Sequence, residues 1–375
     1  MIKQRYVALK VHIFAFLVLP FYWLSLLFPK SHNIVVISEW GGNVRGDNAA
    51  NLFAALREEY PSALIKLVGG TQNARFADSI IPKYSFSSIW AHLRAGVFVV
   101  GSGKSDCIRC LITRRSILIN VWHGLPVKKI SYLNGHQKKH PILYHLRDVF
   151  LPMLDERPNY ILSSERHSDI MREAFEPREG VIIAPQPRWL GLASNSDTRP
   201  RRLRRVLYAP TFRDDDLLYF PLSNKELRYL DRYIDSVGGG LEIYISIHPA
   251  CQFTLLGKFA NIKSYSIQTE GGLYDYFLPR VDALITDISG LIFDFEFMKK
   301  PYFIFFPDRL EYQESSREII EEMNDLIGSK QQSDFVSIVK TLLSYDFASP
   351  NQLQLDRAQY IREFLAQTRW KLEKA

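Results

Sequence analysis

Cysteine is scarce in this chain, whose 375 residues include only Cys107, Cys110 and Cys251. Three cysteines provide no disulfide framework, which is typical of a protein from a reducing compartment. Internal repeats and low-complexity tracts are absent as well, and a composition of 47% hydrophobic and 23% charged residues excludes wholesale disorder. The length exceeds what one hydrophobic core usually supports and suits two domains.

Complete nucleotide and cofactor motifs are also missing. The loop after the first predicted strand carries Asn43 where a dinucleotide-binding G-x-G-x-x-G fingerprint needs glycine. Residues 101–105 (GSGKS) lack the first glycine of a P-loop, since that position is Phe98. Cys107 and Cys110 form a lone C-x-x-C without a second pair or a nearby histidine cluster, so a zinc or redox site is disfavoured.

What the chain does have is an excess of basic residues, with a formal net charge of +7 and an isoelectric point near 9.1. This balance predicts an anionic partner: nucleic acid, an anionic membrane surface or a phosphorylated substrate. No nucleic-acid-binding motif is recognisable and the basic residues cluster near apolar segments, so we expect no nucleic-acid partner.

The first 30 residues stand out because three basic residues precede a nearly uninterrupted apolar run at 11–28. A cleaved signal peptide is disfavoured, since no small-residue cleavage site follows the run. A spanning helix would be at its short limit, interrupted by Pro20, and would export the rest of the chain away from nucleotide substrates. We therefore favour a kinked, membrane-associated helical segment over residues 1–30, lying in the interface with its basic flank on anionic headgroups. Residues 128–153 mix basic with apolar positions and favour a second membrane contact, with a solvated face of a core helix as the alternative.

Short apolar strands alternate with helical patterns along the chain, which indicates open α/β sheets. The predicted strands lie at 33–38, 63–68, 95–100, 116–122, 160–163, 181–184, 206–209, 241–247, 283–286 and 302–306. A connector rich in Ser, Asn and Gly at 191–200 predicts a boundary between domains at 31–190 and 201–345. A last amphipathic helix over 351–372, within a segment at 350–375, is expected to pack back across the domains.

The stretch at 281–301 (VDALITDISGLIFDFEFMKKP) joins a buried strand, a turn with small hydroxyl residues and a helix N-terminus. Free N–H groups and the helix dipole at such a turn favour an anion, and Thr286 and Ser289 add hydroxyl donors. Asp294, on the first turns of the helix, is placed to reach a ribose hydroxyl. The alternative is an ordinary turn in which Ser289 caps the helix.

Two histidines and one arginine follow directly on predicted strands, at the edge where open α/β sheets bind ligands. His123, between a strand and Gly-x-Pro, has the setting of a proton carrier, with a turn-capping histidine as the alternative. Arg213 suits a phosphate because a guanidinium is planar and always charged, and His248 ends a later strand. Asp47 or Asn48 is predicted as the N-cap of the helix after the first strand.

Together these segments resemble the CDP-glycerol:poly(glycerophosphate) glycerophosphotransferase family, the enzymes of teichoic-acid and related capsule synthesis. The motifs that carry the resemblance are, in chain order, Asp47-Asn48, Trp122-His-Gly-x-Pro-x-Lys-Lys129, Ser164-Glu165, Pro187-Arg188, Tyr208-Ala-Pro-Thr-Phe-Arg-Asp214, His248-Pro249, Thr286-Asp-x-Ser289 with Asp294, and Lys300-Pro301. Two departures exist: Gly290 stands where the family usually has a second serine, and the segment after Asp308 lacks a glycine-rich pattern.

The resemblance implies a GT-B architecture, in which two Rossmann-like domains face each other across a cleft, attached to the cytoplasmic face of the cell membrane. It implies that His123 is the general base on an incoming hydroxyl, which attacks the glycerol-bearing phosphorus of CDP-glycerol and releases CMP. No required cofactor is implied, with magnesium left open. The catalytic candidates are His123 and His248, and the substrate-binding candidates are Arg213, Thr286, Asp287, Ser289, Gly290, Asp294, Lys128, Asp47 and Asn48.

The expected partners are CDP-glycerol or a similar CDP-alditol, a lipid-linked saccharide or polymer acceptor, and an anionic membrane surface. A GT-B glycosyltransferase with a nucleotide-sugar donor is one alternative, although the His-Gly-x-Pro and Thr-Asp-x-Ser motifs favour alditol-phosphate transfer. A membrane-surface binding protein with a degenerate cleft is another, and it predicts that substituting His123 or His248 changes nothing measurable.

Overall fold

The computed structural model describes residues 2–134, 148–194, 203–211, 213, 218–247, 255, 257–266, 270, 272–315, 318–332, 334–347 and 355–372. The chain divides into two compact units. Unit 1 comprises Met1–His123, Ser131–Leu190 and Leu355–Ala375, and unit 2 comprises Gly124–Ile130 and Gly191–Gln354. The chain thus passes from His123 directly into a short segment of unit 2, and its end returns to unit 1.

The helices are α1 (Ile2–Leu26), α2 (Asn48–Glu59), α3 (Phe86–Arg94), α4 (Ser168–Phe175), α5 (Arg188–Ser194), α6 (Asn224–Ser236), α7 (Leu291–Phe297), α8 (Arg309–Ser315), α9 (Glu321–Lys330), α10 (Phe335–Ser344) and α11 (Arg357–Ala366). The strands are β1 (Ser31–Ser38), β2 (Asn43–Val44), β3 (Leu64–Val68), β4 (Gly70–Thr71), β5 (Ile80–Ile81), β6 (Ala95–Val100), β7 (Ile117–Asn120), β8 (Tyr160–Ser163), β9 (Gly180–Ile183), β10 (Arg204–Ala209), β11 (Leu241–Ile245), β12 (Ile262–Ser264), β13 (Ala283–Thr286), β14 (Tyr302–Phe305) and β15 (Gln331–Gln332). All ten predicted strands are present, within two residues of their expected ends.

Unit 1 is built on a seven-stranded sheet of order β5-β3-β1-β6-β7-β8-β9, in which every pair is parallel. The central strand β1 shows why its sequence is apolar throughout. Val35 and Ile37 pack into one core beneath α2, while Ile34 and Val36 pack into a second core on the opposite face. A parallel strand covered on both faces needs a continuous apolar run rather than an alternating one.

Unit 2 contains a six-stranded parallel sheet of order β12-β11-β10-β13-β14-β15. In each sheet the chain order reverses between two neighbouring central strands, β1 and β6 in unit 1 and β10 and β13 in unit 2. The connections that follow two such strands run in opposite directions and leave a crevice at the carboxyl ends of the strands. Open α/β sheets bind ligands in this crevice. Each unit therefore has one topological position at which a site is expected.

The C-terminal helix is shorter than the predicted 351–372, because α11 spans only Arg357–Ala366 and residues 348–354 lie outside the described part of the chain. Tyr360, Ile361 and Phe364 on this helix join the core of unit 1 together with α2. Trp370, which follows the helix, is fully buried and donates from Nε1 to the carbonyl of His32. The chain end is thus an integral part of unit 1.

The N-terminal segment forms one continuous helix across Pro20, so the proline does not break the helix, while the predicted kink stays a prediction. A proline removes one helical hydrogen bond, and in a helix of 25 residues the remaining bonds keep the backbone helical. Within the part of the chain that the structure describes, every helix falls short of the combined length and apolarity that crossing a bilayer demands.

Candidate active site

His123 lies just after β7, beside the point in unit 1 where the strand order reverses. Its Nδ1 is 3.2 Å from the carbonyl oxygen of Gly101, which follows β6. A carbonyl only accepts hydrogen bonds, so Nδ1 must carry the proton and Nε2 holds the free lone pair. The contact therefore selects the tautomer in which Nε2 can accept a proton.

The His123 ring lies against two tryptophans, with centroid distances of 4.7 Å to Trp40 and 3.9 Å to Trp122. Burial lowers the pKa of His123 below its usual 6.5, although the Asp47 charge and the hydrogen bond to Gly101 partly oppose this effect. The imidazole is consequently neutral at pH 7. A neutral, oriented and half-buried imidazole is chemically a general base.

The loop between β1 and α2 carries Trp40 and is anchored from inside by Glu39. The Oε1 atom of this buried carboxyl accepts from the backbone N–H groups of Arg45, Gly46 and Asp47 at 2.7–3.0 Å, and Oε2 accepts from Ala50 at 3.1 Å. Burial, reinforced by the nearby Asp47 charge, raises the pKa of Glu39 to about 7. The glycine-rich loop is therefore folded around a carboxyl of its own chain.

Asp47 is the N-cap of α2, as predicted. Asp47 is 1% exposed and Asn48 is fully buried. Asp47 forms an ion pair with the buried Arg188 at 3.0 Å, and Asn48 donates to backbone carbonyls at the end of β7. Both side chains are therefore engaged with the protein around His123, and a contact with substrate stays a prediction.

Residues 101–105 do not form a phosphate loop, in agreement with the missing glycine. The backbone N–H groups of Gly101 and Ser102 donate to Oδ2 of Asp106 at 2.9 and 2.7 Å. Lys104 is 4% exposed and its Nζ lies 3.4 Å from the carbonyl of Pro152. The anion that these amides bind is therefore a carboxylate of the chain itself.

The C-x-x-C pair likewise lacks the character of a reactive site. Cys107 is buried and Cys110 half-buried, and burial raises the pKa of both thiols. Protonated thiols are poor nucleophiles and poor metal ligands. Across the described ranges, no group of three or more His, Cys, Asp or Glu side chains could hold a metal ion.

In unit 2, Arg213 follows β10 at the reversal point, as expected, but its guanidinium is already occupied. Nη2 donates to Asp287 at 2.9 Å, while Nε and Nη2 donate to the two carboxylate oxygens of Asp308 at 2.8 and 2.9 Å. Nη1 donates to the Thr211 carbonyl at 2.6 Å, and the ring of Tyr312 lies 4.8 Å away. Arg213 therefore ties together the ends of three strands, and direct phosphate binding is not what this geometry supports.

Three further candidates in unit 2 are buried scaffold residues in the structure. The hydroxyl of Thr286 is buried and donates to the Ala209 carbonyl at 2.6 Å. Oδ1 of Asp287 accepts from the N–H groups of Thr211 and Ile288. Asp294 is fully buried in α7, and its expected contact with a ribose hydroxyl stays a prediction.

Ser289, Gly290 and Lys128 are the substrate-binding candidates of unit 2 that retain partial exposure. Ser289 and Gly290 lie between β13 and α7, at the reversal point of the second sheet, and the Ser289 hydroxyl accepts from the N–H of Leu291 at 3.3 Å. Lys128 lies in the segment 124–130 and forms an antiparallel bridge with Ile319. His248 lies outside the described residues.

Crowding at position 290 explains why this chain has glycine where the family usually has a second serine. A Cβ at this position would lie 2.8 Å from the carbonyl oxygen of Leu125, closer than side chains tolerate. We therefore expect Gly290→Ala, and equally Gly290→Ser, to destabilise the protein by about 1–3 kcal/mol through overpacking. Thermal unfolding measures this, with Gly180→Ala as the matched control because a Cβ there meets nothing within 4 Å. Equal melting temperatures for both alanine variants would contradict the crowding.

Sequence reasoning missed three residues of the site in unit 1: Glu39, Trp40 and Arg188 as a structural partner. Glu39 had a recognisable signal, because a charged residue directly after a buried strand needs a specific reason to be there. Arg188 was part of a family motif, but nothing in the sequence indicated its partners, and Trp40 had no signal, since the contacts of both residues with His123 join segments far apart in the chain.

Comparison with known proteins adds independent evidence. The family model described as CDP-Glycerol:Poly(glycerophosphate) glycerophosphotransferase matches residues 20–366. The chain is 23% identical over 347 residues to a teichoic acid poly(glycerol phosphate) polymerase of Bacillus subtilis, covering 86% of this chain but only 45% of that protein. It is 24% identical over 336 residues to a teichoic acid glycerol-phosphate transferase of Staphylococcus aureus, covering 80% and 84% of the two chains.

The fold has a solved counterpart. The structure of the wall teichoic acid polymerase TagF superimposes with a TM-score of 0.64 at 18% identity, covering 97% of this chain and 91% of that chain. At this identity the likeness shows the fold alone, an α/β architecture with parallel sheets. The match of the family model across nearly the whole chain confirms the resemblance seen in the motifs: this chain belongs to the CDP-glycerol:poly(glycerophosphate) glycerophosphotransferase family.

Proposed function

We propose that this chain transfers glycerol phosphate, or a related alditol phosphate, from CDP-glycerol to a hydroxyl of a lipid-linked saccharide or polymer acceptor, and releases CMP. The observation that carries the proposal is the neutral, tautomerically fixed His123 at the reversal point of its sheet, in a chain of this family. The GT-B arrangement and the place of the reaction in teichoic-acid or capsule-like polymer synthesis are parts of the same proposal.

The proposed reaction is a substitution at the phosphorus that bears the glycerol. The acceptor oxygen forms a bond to this phosphorus, the bond from the phosphorus to the bridging oxygen breaks, and CMP departs with that oxygen. Nε2 of His123 takes the proton of the acceptor hydroxyl as its oxygen attacks. Such a transfer depends mainly on positioning and on charge stabilisation around the phosphate.

In this proposal unit 2 holds the donor. Ser289 and the backbone at Gly290 face the pyrophosphate, and Lys128 adds positive charge. The donor is also supported indirectly, by side chains that fix the ends of β10 and β13 next to the contact residues. These side chains are Arg213, Thr286 and Asp287. The role of His248 as a donor ligand stays a prediction. That no cofactor is required also stays a prediction, which turnover with EDTA and with added Mg²⁺ tests.

We further propose that the protein lies on the cytoplasmic face of the cell membrane through α1. One face of this helix, including Ala15 and Tyr22, packs on Met153 and Leu154. The other face exposes Ile13, Phe14, Phe16, Leu17, Phe21, Trp23 and Leu24 to solvent at 49–68%. An exposed apolar surface of this size is typical of a membrane or protein contact, and the basic flank of the segment favours an anionic membrane.

Two other segments support the same surface. Phe150, in the predicted second membrane contact, is 69% exposed, whereas the basic residues at 138, 139 and 147 lie outside the described part. On α3, Phe86 is 83% exposed and Trp90 packs edge-on against Phe28 at the end of α1, with centroids 6.0 Å apart. The apolar surface of α1 thus continues onto α3.

Removing two aromatic rings from α1 is expected to weaken membrane binding strongly. Burial of one Phe side chain stabilises association by about 1.5–3 kcal/mol, so Phe14→Ser with Phe21→Ser should lower partitioning at least about 100-fold. Co-sedimentation with vesicles containing phosphatidylglycerol measures it. Leu310→Ser, at a position 74% exposed on α8, is the matched control and should bind as the unaltered chain does. Unchanged binding of the double variant would contradict a membrane role for α1.

Release of the nucleotide tests the proposed function directly. The purified chain is incubated with CDP-glycerol, CDP-ribitol or a UDP-sugar, each with and without a lipid-linked saccharide acceptor. We expect acceptor-dependent CMP from a CDP-alditol and no UDP. UDP release would favour the glycosyltransferase alternative, and silence with all donors would favour a binding protein.

A further inference from the structure

The turn that carries His123 is hydrogen-bonded by a group of three buried polar residues, Asp47, Asn48 and Arg188, which we call the clamp. Each is at most 1% exposed. Nδ2 of Asn48 lies 3.1 Å from the carbonyl oxygens of both Val121 and Trp122. Nη1 of Arg188 donates to the carbonyl of His123 at 3.0 Å. Three consecutive carbonyls thus receive hydrogen bonds from the clamp.

The backbone inside this turn is strained. Trp122 has φ of 48°, and Trp40, whose ring also contacts the His123 ring, has φ of 50°. Bulky residues in the left-handed region cost on the order of 1–3 kcal/mol each and persist only where the surroundings enforce them. Asn48 binds the carbonyl of Val121, which precedes the φ angle of Trp122, and the carbonyl of Trp122 itself, which follows that angle. The clamp is therefore positioned to enforce this conformation.

The clamp also fixes the aromatic wall of the site. The carboxylate of Asp47 accepts from Nε1 of Trp40 at 3.1 Å and from Nη1 of Arg188 at 3.0 Å. The same guanidinium nitrogen bonds the His123 carbonyl. Trp40 and the backbone of His123 are therefore connected through a single ion pair.

We propose that Asp47, Asn48 and Arg188 are positioning residues that hold the strained His123 turn so that Nδ1 stays bonded to Gly101 and Nε2 stays free for the acceptor hydroxyl. This inference rests on the proposed function for its kinetic consequence, but its structural content concerns only His123. All three side chains are buried, so in this proposal their effect passes through the orientation of the imidazole.

If the clamp only stabilised the fold, a different result would be expected. Its loss would lower the melting temperature, while His123 in the folded protein kept the same tautomer. The chain offers a matched example in Asp155, a carboxylate 1% exposed that pairs with Arg157 and Arg178 in the same unit. Asp155 is absent from the interactions that set the His123 environment, so Asp155→Asn controls for the general effect of weakening a buried polar network.

The test uses Asn48→Ala, which removes hydrogen bonds without leaving a buried charge unpaired. In ¹⁵N NMR of histidine-labelled full-length protein, with His123→Gln for assignment, the unaltered chain and Asp155→Asn should show the Nδ1–H tautomer of His123. Asn48→Ala should show a mixture with Nε2–H. Its kcat should fall about 100-fold, the effect of roughly 1 Å of misplacement, with the KM for CDP-glycerol unchanged.

Should Asn48→Ala fail to fold, Arg188→Lys keeps a positive charge near Asp47, but its side chain ends one bond short of Nη1, the nitrogen that reaches the His123 carbonyl, and the same changes are expected. Retention of the Nδ1–H tautomer and of kcat in the folded variant would overturn the inference. The NMR result needs no turnover, so a chain without CMP release would refute the proposed function while the spectrum still decided the role of the clamp.

Discussion

Replacing His123 with glutamine is expected to lower kcat for acceptor-dependent CMP release by about 10²- to 10⁴-fold, the usual contribution of a positioned general base. Glutamine approximates the size of the ring and retains a donor toward Gly101, but it has no basic nitrogen to take the proton of the acceptor. The KM for CDP-glycerol should stay unchanged, because the proposed donor contacts at Ser289 and Gly290 belong to the other unit. Steady-state kinetics with varied donor at saturating acceptor measures both constants.

The pH dependence of kcat/KM tests the same role of His123. Burial lowers the pKa of His123 below 6.5, and only the neutral ring accepts a proton. We therefore expect kcat/KM to be level near pH 7 and above, and to fall with acidification through a pKa below 6.5. His32→Gln, which replaces another half-buried histidine of unit 1, should leave both the rate and the profile unchanged. Near-normal turnover in His123→Gln would remove the base from the mechanism.

Replacing Arg213 with methionine is expected to lower the free energy of unfolding by about 3–5 kcal/mol, because two buried or half-buried carboxylates lose the cation that compensates them. Arg213 is 5% exposed and bonds Asp287 and Asp308, which lie after β13 and β14. Donor turnover should be lost together with stability, since these strand ends carry the proposed donor site. Denaturant unfolding followed by circular dichroism measures the change.

Acid should reproduce part of this effect in the unaltered chain. Burial pushes the pKa of Asp308 up, but hydrogen bonds and charge from Arg213 outweigh burial and hold it below 3.8. A carboxyl with a depressed folded pKa contributes stability above its unfolded pKa, and this contribution is lost as pH falls through the folded value. Arg213→Met should therefore lose less stability than the unaltered chain on acidification below about pH 4.

The matched control for Arg213 is Arg232→Met, on the exposed side of α6 in the same unit. Its Nε bonds only the carbonyl of Arg228 one turn earlier among the contacts of the described residues, so stability should change by less than about 0.5 kcal/mol. Equal stability of Arg213→Met and Arg232→Met would mean that the carboxylates around Arg213 tolerate its loss, contrary to the structure.

The strands were predictable because burial on both faces leaves a direct trace in the sequence. The runs at 95–100, 160–163 and 283–286 are apolar at nearly every position, and the structure places strands within the same bounds. The position of His123 at a strand end followed from the same pattern. The helices were less predictable. The last helix ends at Ala366 instead of residue 372, and α1 continues across Pro20 because one lost hydrogen bond does not decide the conformation of a long helix.

The roles of the charged candidates could not be predicted in the same way. Arg213 has the sequence context of a phosphate ligand, yet its partners lie 74 and 95 residues further along the chain. Asp47 pairs with Arg188 across 141 residues. Whether a charged side chain at a strand end faces a ligand or another side chain depends on which strand ends converge, and local periodicity contains no information about that.

The most direct test of the central claim is to count products in a single reaction. The purified chain is incubated with CDP-glycerol and a lipid-linked saccharide, CMP is quantified, and the acceptor is examined by ³¹P NMR and mass spectrometry. The account predicts one new phosphodiester, and one added glycerol phosphate, for each CMP released. CMP released without a new acceptor phosphodiester, or CMP in large excess over the glycerol phosphate added to the acceptor, would contradict it.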